Sequence, residues 1–116
     1  MTSKKNEESK PQFDYQIDCK REMIHPRTNK PMPLEAEGKE MLTLGFVIGA
    51  LLTEEKHAEF SPMKAWAIGQ KFYSISQVGM DAADFGNLKK ALESTDRWLP
   101  FVVGQAMEYL ESLKRE

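Results

Sequence analysis

Apolar residues concentrate in one stretch, residues 41–52, which reads MLTLGFVIGALL and contains no charge. Most of its apolar positions recur at spacings of three and four, as on one face of an α-helix. Phe46 and Ala50 extend the apolar character to the opposite side. Because a helix that is apolar nearly all round is a buried helix, we expect a central buried helix here, capped by Thr43.

Gly45 and Gly49 lie four residues apart, and therefore on one face of this predicted helix. Glycine inside a helix costs about 0.5–1 kcal/mol relative to alanine, and close approach of another backbone offsets that cost. We therefore expect a neighbouring element to cross the helix tightly at this face. A strand over part of the run stays open as the alternative, because short apolar runs are ambiguous.

Upstream of this run, residues 13–19 alternate between apolar and polar side chains, which is the period of a half-buried strand. Residues 25–31 contain two prolines and an asparagine, a composition typical of a turn. We expect a β-hairpin in which residues 13–24 pair with residues 31–35, followed by a loop at 35–40. Residues 1–12 are almost entirely polar and are expected to form a disordered tail.

Three amphipathic helices are predicted downstream of residue 60. Ser61 followed by Pro62 marks the start of the first, as N-cap and first helical residue. Asp81 is the expected N-cap of the second. Residues 94–96 are expected to form a turn and cap the third helix, with Pro100 in its first turn.

The composition is that of one globular domain. The chain has 116 residues, of which 41% are apolar and 29% charged. A chain of this length buries roughly two-thirds of its unfolded surface, so it needs neither a disulfide nor a metal to fold. The expected fold class is α+β, mainly α: an N-terminal β-hairpin packed on a bundle of about four helices within a single domain over residues 13–116.

The expected location is the cytoplasm. Cys19 is the single cysteine, so no internal disulfide and no oxidising compartment are implied. The N-terminus has no apolar segment behind its lysines and does not resemble a signal peptide. The apolar run at 41–52 is shorter than the about 20 residues that span a bilayer, so no membrane association is expected.

No constellation of residues indicates catalysis, and we expect no enzyme, no metal and no cofactor. His25 and His57 fall in a predicted turn and a predicted linker, where they are interpreted as solvated residues. Cys19 lies on the apolar face of the predicted strand and is interpreted as a buried thiol. A small enzyme or metal protein built on Cys19 and His25 is the remote alternative.

The charge does not favour nucleic-acid binding, because 16 basic residues are balanced by 18 acidic ones. Segments 62–75 and 81–94 are the helix pair that a helix-turn-helix would use. Its recognition helix would begin with Asp81 and Asp84, which repel phosphates. Nucleic-acid binding is therefore kept as the alternative function, with three candidate contacts, Lys89, Lys90 and Arg97.

Large aromatic side chains at the edges of the predicted helices indicate a surface for a protein partner or for self-association. Tryptophan and tyrosine are enriched at protein interfaces, where they bury large areas and still offer a polar group. The candidate partner-surface residues are Trp66, Tyr73, Trp98 and Tyr109.

Four segments, "TNKPMPL", "LTLGFVIGALL", "MDAADFGNLKKALE" and "LPFVVGQAMEYLE", together resemble a group of small accessory proteins encoded in bacteriophage and prophage genomes. The resemblance covers residues 28–112. The longer polar N-terminus and residues 35–40 depart from the group's pattern. The resemblance brings no catalytic residues and implies a phage-encoded intracellular accessory protein. We accordingly expect a non-enzymatic protein that binds a protein partner or itself in the host cytoplasm.

Overall fold

The computed structural model describes residues 14–34 and 38–113, and the expected tail at residues 1–12 lies outside them. The described chain is mainly helical with short strands, which confirms the α+β class. Its elements in chain order are β1 (Tyr15–Asp18), β2 (Ile24–His25), β3 (Lys30–Pro31), α1 (Leu44–Glu54), α2 (Pro62–Ser74), β4 (Gln77–Met80), α3 (Ala82–Ser94) and α4 (Pro100–Ser112).

The strand pairing differs from the predicted hairpin. β1 pairs antiparallel with β4, so that Tyr15 lies opposite Met80 and Asp18 opposite Gln77. The prediction that residues 13–24 pair with residues 31–35 is therefore wrong for β1. The predicted turn does form a smaller hairpin between β2 and β3. Alternation identifies a strand from local sequence, but its partner here is about sixty residues away and is chosen by tertiary packing.

Helix α1 is the central buried element, as predicted. The Thr43 hydroxyl oxygen accepts a hydrogen bond from the backbone N–H of Phe46 at 3.3 Å and caps the helix. Every apolar side chain of the helix except Phe46 is buried. Its most completely buried large residues are Leu44, Ile48 and Leu51.

The glycine face of α1 is closely approached from two sides, as expected. A Cβ atom at Gly45 would lie 2.6 Å from the carbonyl oxygen of Phe72 in α2 and 2.8 Å from the Cβ of Cys19. A Cβ atom at Gly49 would lie 3.0 Å from the ring of Tyr73. The Gly45 N–H also donates to the carbonyl of Cys19 at 2.9 Å. The two glycines therefore allow α2 and the segment after β1 to pack directly on the α1 backbone.

Helices α2 and α3 begin where the capping residues predict. The Ser61 hydroxyl oxygen accepts from the N–H of Lys64 at 3.3 Å, and Pro62 is the first helical residue. The Asp81 carboxylate accepts from the N–H of Asp84 at 2.8 Å. Both caps satisfy a backbone donor that the helix itself leaves unpaired.

The start of α4 differs from the prediction. Its N-cap is Leu99, which makes no side-chain capping bond, and the helix begins at Pro100. The cap predicted within residues 94–96 is therefore wrong. Thr95 instead donates its hydroxyl hydrogen to the carboxylate of Glu55, with oxygen separations of 2.8 and 3.0 Å. The hydroxyl is used in a tertiary contact with the end of α1, which local sequence does not reveal.

Candidate partner-binding surface

Three of the four predicted partner-surface residues lie on one connected surface. Trp66 and Tyr73 project from α2 and are 56% and 45% exposed. Trp98, in the connection between α3 and α4, is half-buried. Phe46 of α1 joins Tyr73 to Trp98. We call these four residues, Phe46, Trp66, Tyr73 and Trp98, the aromatic surface.

The ring of Phe46 is the centre of this arrangement. It lies 5.7 Å from the Tyr73 ring at an interplanar angle of 69°, and 6.4 Å from the Trp98 ring at 84°. Edge-to-face contacts of this kind are favoured because the positive edge of one ring meets the negative face of another. Sequence reasoning assigned Phe46 only to the buried helix. It is the single large apolar side chain of α1 that remains partly accessible, because it lies opposite the main apolar stripe.

Glu54 pairs with two polar groups beside the aromatic surface, whereas the indole N–H of Trp98 is buried without a hydrogen-bond partner in the described part of the chain. The Tyr73 hydroxyl donates to Glu54 Oε2 at 3.4 Å, and the Arg97 guanidinium forms an ion pair with Glu54 Oε1. The guanidinium also lies 5.5 Å from the centroid of the Trp98 ring. Glu54 and Arg97 are both nearly half exposed, so their pair contributes about 0–1 kcal/mol to stability. Its main effect is to hold the two side chains beside the rings.

A groove of about 500 Å³ continues this surface between the end of α1 and the start of α2. Trp66 forms one wall, Phe60 and Leu52 contribute apolar surface, and Glu54 and Glu55 lie among its polar groups. The volume is within the range of protein pockets that take a small molecule or a few side chains. The groove connects Trp66 to Tyr73 through Glu54, which contacts the Tyr73 hydroxyl and lines the groove.

His57 is part of the lining of this groove, and the prediction that it is solvated is wrong. Its side chain is only 4% exposed. Its Nε2 lies 2.9 Å from the carbonyl oxygen of Leu51, and because a carbonyl only accepts, Nε2 carries the hydrogen. The imidazole therefore satisfies a carbonyl in the last turn of α1, where the helix leaves acceptors unpaired. The linker sequence gives no sign that it folds back over the helix end.

Cys19 is buried, as predicted, and its environment opposes reactivity. It is 4% exposed, and its thiol lies 3.8 Å from the carbonyl of Ile17. The pKa of the thiol is raised to about 11, mainly by burial and also by the nearby Asp18 carboxylate, while the Val78 N–H acts in the opposite direction. Because the thiolate is the nucleophilic form, this cysteine is protonated and inert at neutral pH.

His25 has partners of its own and is not directed at a nucleophile. Its Nδ1 accepts a hydrogen bond from the backbone N–H of Arg27 at 3.0 Å, so this nitrogen is used within the turn. Its ring lies 5.3 Å from that of Phe101. The turn contact stabilises the β2–β3 turn, and the ring contact packs the hairpin against α4.

Tyr109 lies apart from the aromatic surface. Its hydroxyl oxygen accepts from the backbone N–H of Asp18 at 2.9 Å, which joins α4 to the outer side of β1. The Arg21 guanidinium covers the Tyr109 ring at 4.7 Å from its centroid. The contacts of Tyr109 therefore hold α4 against the first strand.

Two of the three candidate nucleic-acid contacts are paired with carboxylates. Lys89 Nζ lies 3.8 Å from Glu111 Oε2, and Arg97 is paired with Glu54. Lys90 is exposed. The helix pair around them also differs from a helix-turn-helix, because β4 separates α2 from α3 where that motif has a turn of three or four residues.

Within residues 14–34 and 38–113, no group of three or more His, Cys, Asp or Glu residues is placed to hold a metal ion. No helix of this described part is long and apolar enough to cross a bilayer. The arrangement offers exposed rings, an apolar groove and a paired polar rim, which are the components of a binding surface. Comparison of the chain with protein-family models, curated proteins and solved structures finds no match to any of them.

Proposed function

We propose that this protein is a non-enzymatic accessory protein of phage type, which acts in the cytoplasm by binding another protein or a second copy of itself through the aromatic surface. The observation that carries the proposal is Trp66, which is more than half exposed and forms one wall of the groove. Tryptophan in such a position is the residue type that most often dominates the energy of a protein interface.

The surroundings of Trp66 support the same role. Met63, one turn before it on α2, is 82% exposed, and Tyr73 lies two turns after it. Monomeric proteins seldom expose a large contiguous apolar patch without a binding role. The paired Glu54 and Arg97 provide a polar rim next to these rings, as at protein interfaces with an apolar centre.

The test is affinity capture from the cells that produce the protein, with the wild-type chain and Trp66→Ala compared at equal amounts. We expect a partner that the wild-type chain retains and Trp66→Ala loses, because removal of an anchoring tryptophan costs at least about 2 kcal/mol, or roughly thirtyfold in affinity. Glu108→Ala is the control, since Glu108 is exposed on α4 and belongs to neither the aromatic surface nor the groove.

Two outcomes would overturn the proposal. One is equal recovery of every partner by the wild-type chain and Trp66→Ala, with both shown to be folded by circular dichroism. The other is recovery of nucleic acid that is lost in Lys90→Gln, which would favour the alternative function. Because Trp66 is exposed, its replacement should leave the core intact and keep the comparison interpretable.

A further inference from the structure

The hydrogen bonds of the β1–β4 pair determine which backbone groups face outward. The Cys19 N–H donates to the Ser76 carbonyl at 2.8 Å, so these two residues form a hydrogen-bonded pair at the end of the ladder. The next residue back, Asp18, sends its N–H the other way, to the Tyr109 hydroxyl. Bonded and non-bonded pairs alternate in an antiparallel ladder. In β4, Val78 therefore faces β1, and the N–H and C=O groups of Gln77 and Gly79 point to the outer edge.

The two outer edges of this sheet, one on β1 and one on β4, differ in their contacts with the rest of the protein. On the β1 side, Tyr109 of α4 lies against Asp18. On the β4 side, the outward N–H and C=O groups of Gln77 and Gly79 have no hydrogen-bond partner within the described part of the chain. Gln77 is exposed and Gly79 is partly accessible. The β4 edge therefore presents backbone donors and acceptors that another strand would satisfy.

Apart from its short length of four residues, this edge lacks the features that keep natural edge strands apart. Proteins usually protect an exposed edge with a charged side chain, a proline, a bulge or a covering element. The sequence of β4 is QVGM, which contains neither a charge nor a proline, and its register with β1 is regular throughout. An unprotected edge of this kind is compatible with strand addition.

We propose that the outer edge of β4 pairs antiparallel with the same edge of a second copy of this chain, forming a continuous sheet in the order β1–β4–β4–β1. A two-fold axis through Val78 places Gln77 of each copy opposite Gly79 of the other copy. Both residues point their N–H and C=O groups outward, so each pair exchanges hydrogen bonds in both directions.

The side chains fit this self-pairing. Residues directly opposite one another in an antiparallel pair project from the same face. Gln77 and Gly79 are on the exposed face, since Val78 and Met80 are buried on the other. Gly79 has no side chain and leaves space for the Gln77 side chain of the second copy. No like charges meet, because the strand is neutral.

The inference rests on the proposed interaction role and names one partner, but it uses no residue of the aromatic surface. The experiment is sedimentation equilibrium over a concentration series, combined with amide hydrogen exchange. We expect a concentration-dependent dimer in which exchange at Gln77 and Gly79 slows as the dimer forms. The Val78 amide, which already bonds to β1, serves as the internal reference.

Gln77→Pro removes one outward N–H without breaking a bond to β1, and proline is tolerated at the first residue of a strand. We expect its dimer to dissociate at about tenfold or more higher concentration than the wild-type dimer, because hydrogen bonds are lost in both copies. Gln77→Ala is the matched control: it keeps the N–H and should dimerise as the wild-type chain does. Trp66→Ala should also dimerise normally, so the two proposals fail separately.

Three results would overturn the proposal: a monomer at every concentration, a dimer in which the Gln77 and Gly79 amides exchange freely, or protection of these amides that follows a captured protein instead of concentration. If Gln77→Pro does not fold, amide hydrogen exchange in the wild-type chain alone tests the proposal. Concentration-dependent protection at Gln77 and Gly79 then supports the pairing, and its absence overturns it.

Discussion

The side chain of Gln105 in α4 forms hydrogen bonds with both the N–H and the C=O of Ile24, a residue 81 positions earlier in the chain. Its Nε2 donates to the Ile24 carbonyl at 2.6 Å, and its Oε1 accepts from the Ile24 N–H at 2.8 Å. On the other side of the strand, Met32 N–H donates to the Met23 carbonyl, so the groups of Ile24 point away from β3. The side-chain amide therefore takes the place of a third strand and ties the small hairpin to the last helix.

Replacing Gln105 by alanine should destabilise the protein. The change leaves the N–H and C=O of Ile24, a partly buried residue, without partners. We expect a loss of about 1–3 kcal/mol in the free energy of unfolding, because an unpaired buried polar group costs this much. Urea denaturation followed by circular dichroism measures the effect. Glu108→Ala, at an exposed position of the same helix, should change the free energy by less than about 0.5 kcal/mol. Equal stability of the two variants would contradict the role assigned to Gln105.

Replacement of a helix glycine by alanine should destabilise the protein at Gly45 and stabilise it at Gly104. Gly45→Ala places a methyl group 2.6 Å from the Phe72 carbonyl oxygen, and this backbone atom has little freedom to move. We expect a destabilisation of about 1–3 kcal/mol from overpacking. At Gly104 in α4 an added Cβ meets nothing within 4 Å, so Gly104→Ala should stabilise by about 0.5–1 kcal/mol. Thermal unfolding of both variants tests the pair of predictions. A neutral or stabilising Gly45→Ala would show that α2 does not pack closely on α1.

The buried thiol of Cys19 should make stability fall at alkaline pH. Burial raises its pKa in the folded protein from 9.0 to about 11. Its contribution to stability is therefore fully present below about pH 9, where both folded and unfolded chains keep the proton, and is lost as pH rises to about 11. Over this interval we expect a decline of about 1.4 kcal/mol per pH unit from this group.

The measurement is the difference in unfolding free energy between the wild-type chain and Cys19→Ala from pH 8 to pH 11. The difference cancels the titration of lysines and tyrosines, which the two chains share. Parallel pH profiles for the two proteins would mean that the thiol is not held protonated by the fold. In the unfolded chain the same thiol should react readily with a thiol reagent, whereas the folded chain should react slowly at neutral pH.

Features that depend on neighbouring residues were predictable from the sequence. Thr43, Ser61 and Asp81 cap the helices that follow them, because each capping bond joins residues three positions apart. The burial of α1 followed from its uninterrupted apolar run, since such a helix has no polar face to present to water. The close crossing at Gly45 also followed, because glycine in a helix signals a neighbouring backbone.

Features that depend on distant residues were decided by the tertiary structure. Alternation marked β1 as a strand, but its partner β4 is only four residues long and joins two helices, where the sequence shows no separate strand signal. His57 is buried because the linker after α1 folds back on the helix end. Likewise, the sequence indicated one surface for Trp66, Tyr73, Trp98 and Tyr109. In the structure, packing through Phe46 joins Tyr73 to Trp98, whereas Tyr109 packs against β1. The sequence by itself thus determined the helices, their caps and the buried centre, since these arise from contacts within a turn or two. The strand partner and the membership of the surface arose from long-range contacts, whose energies depend on how whole elements fit together.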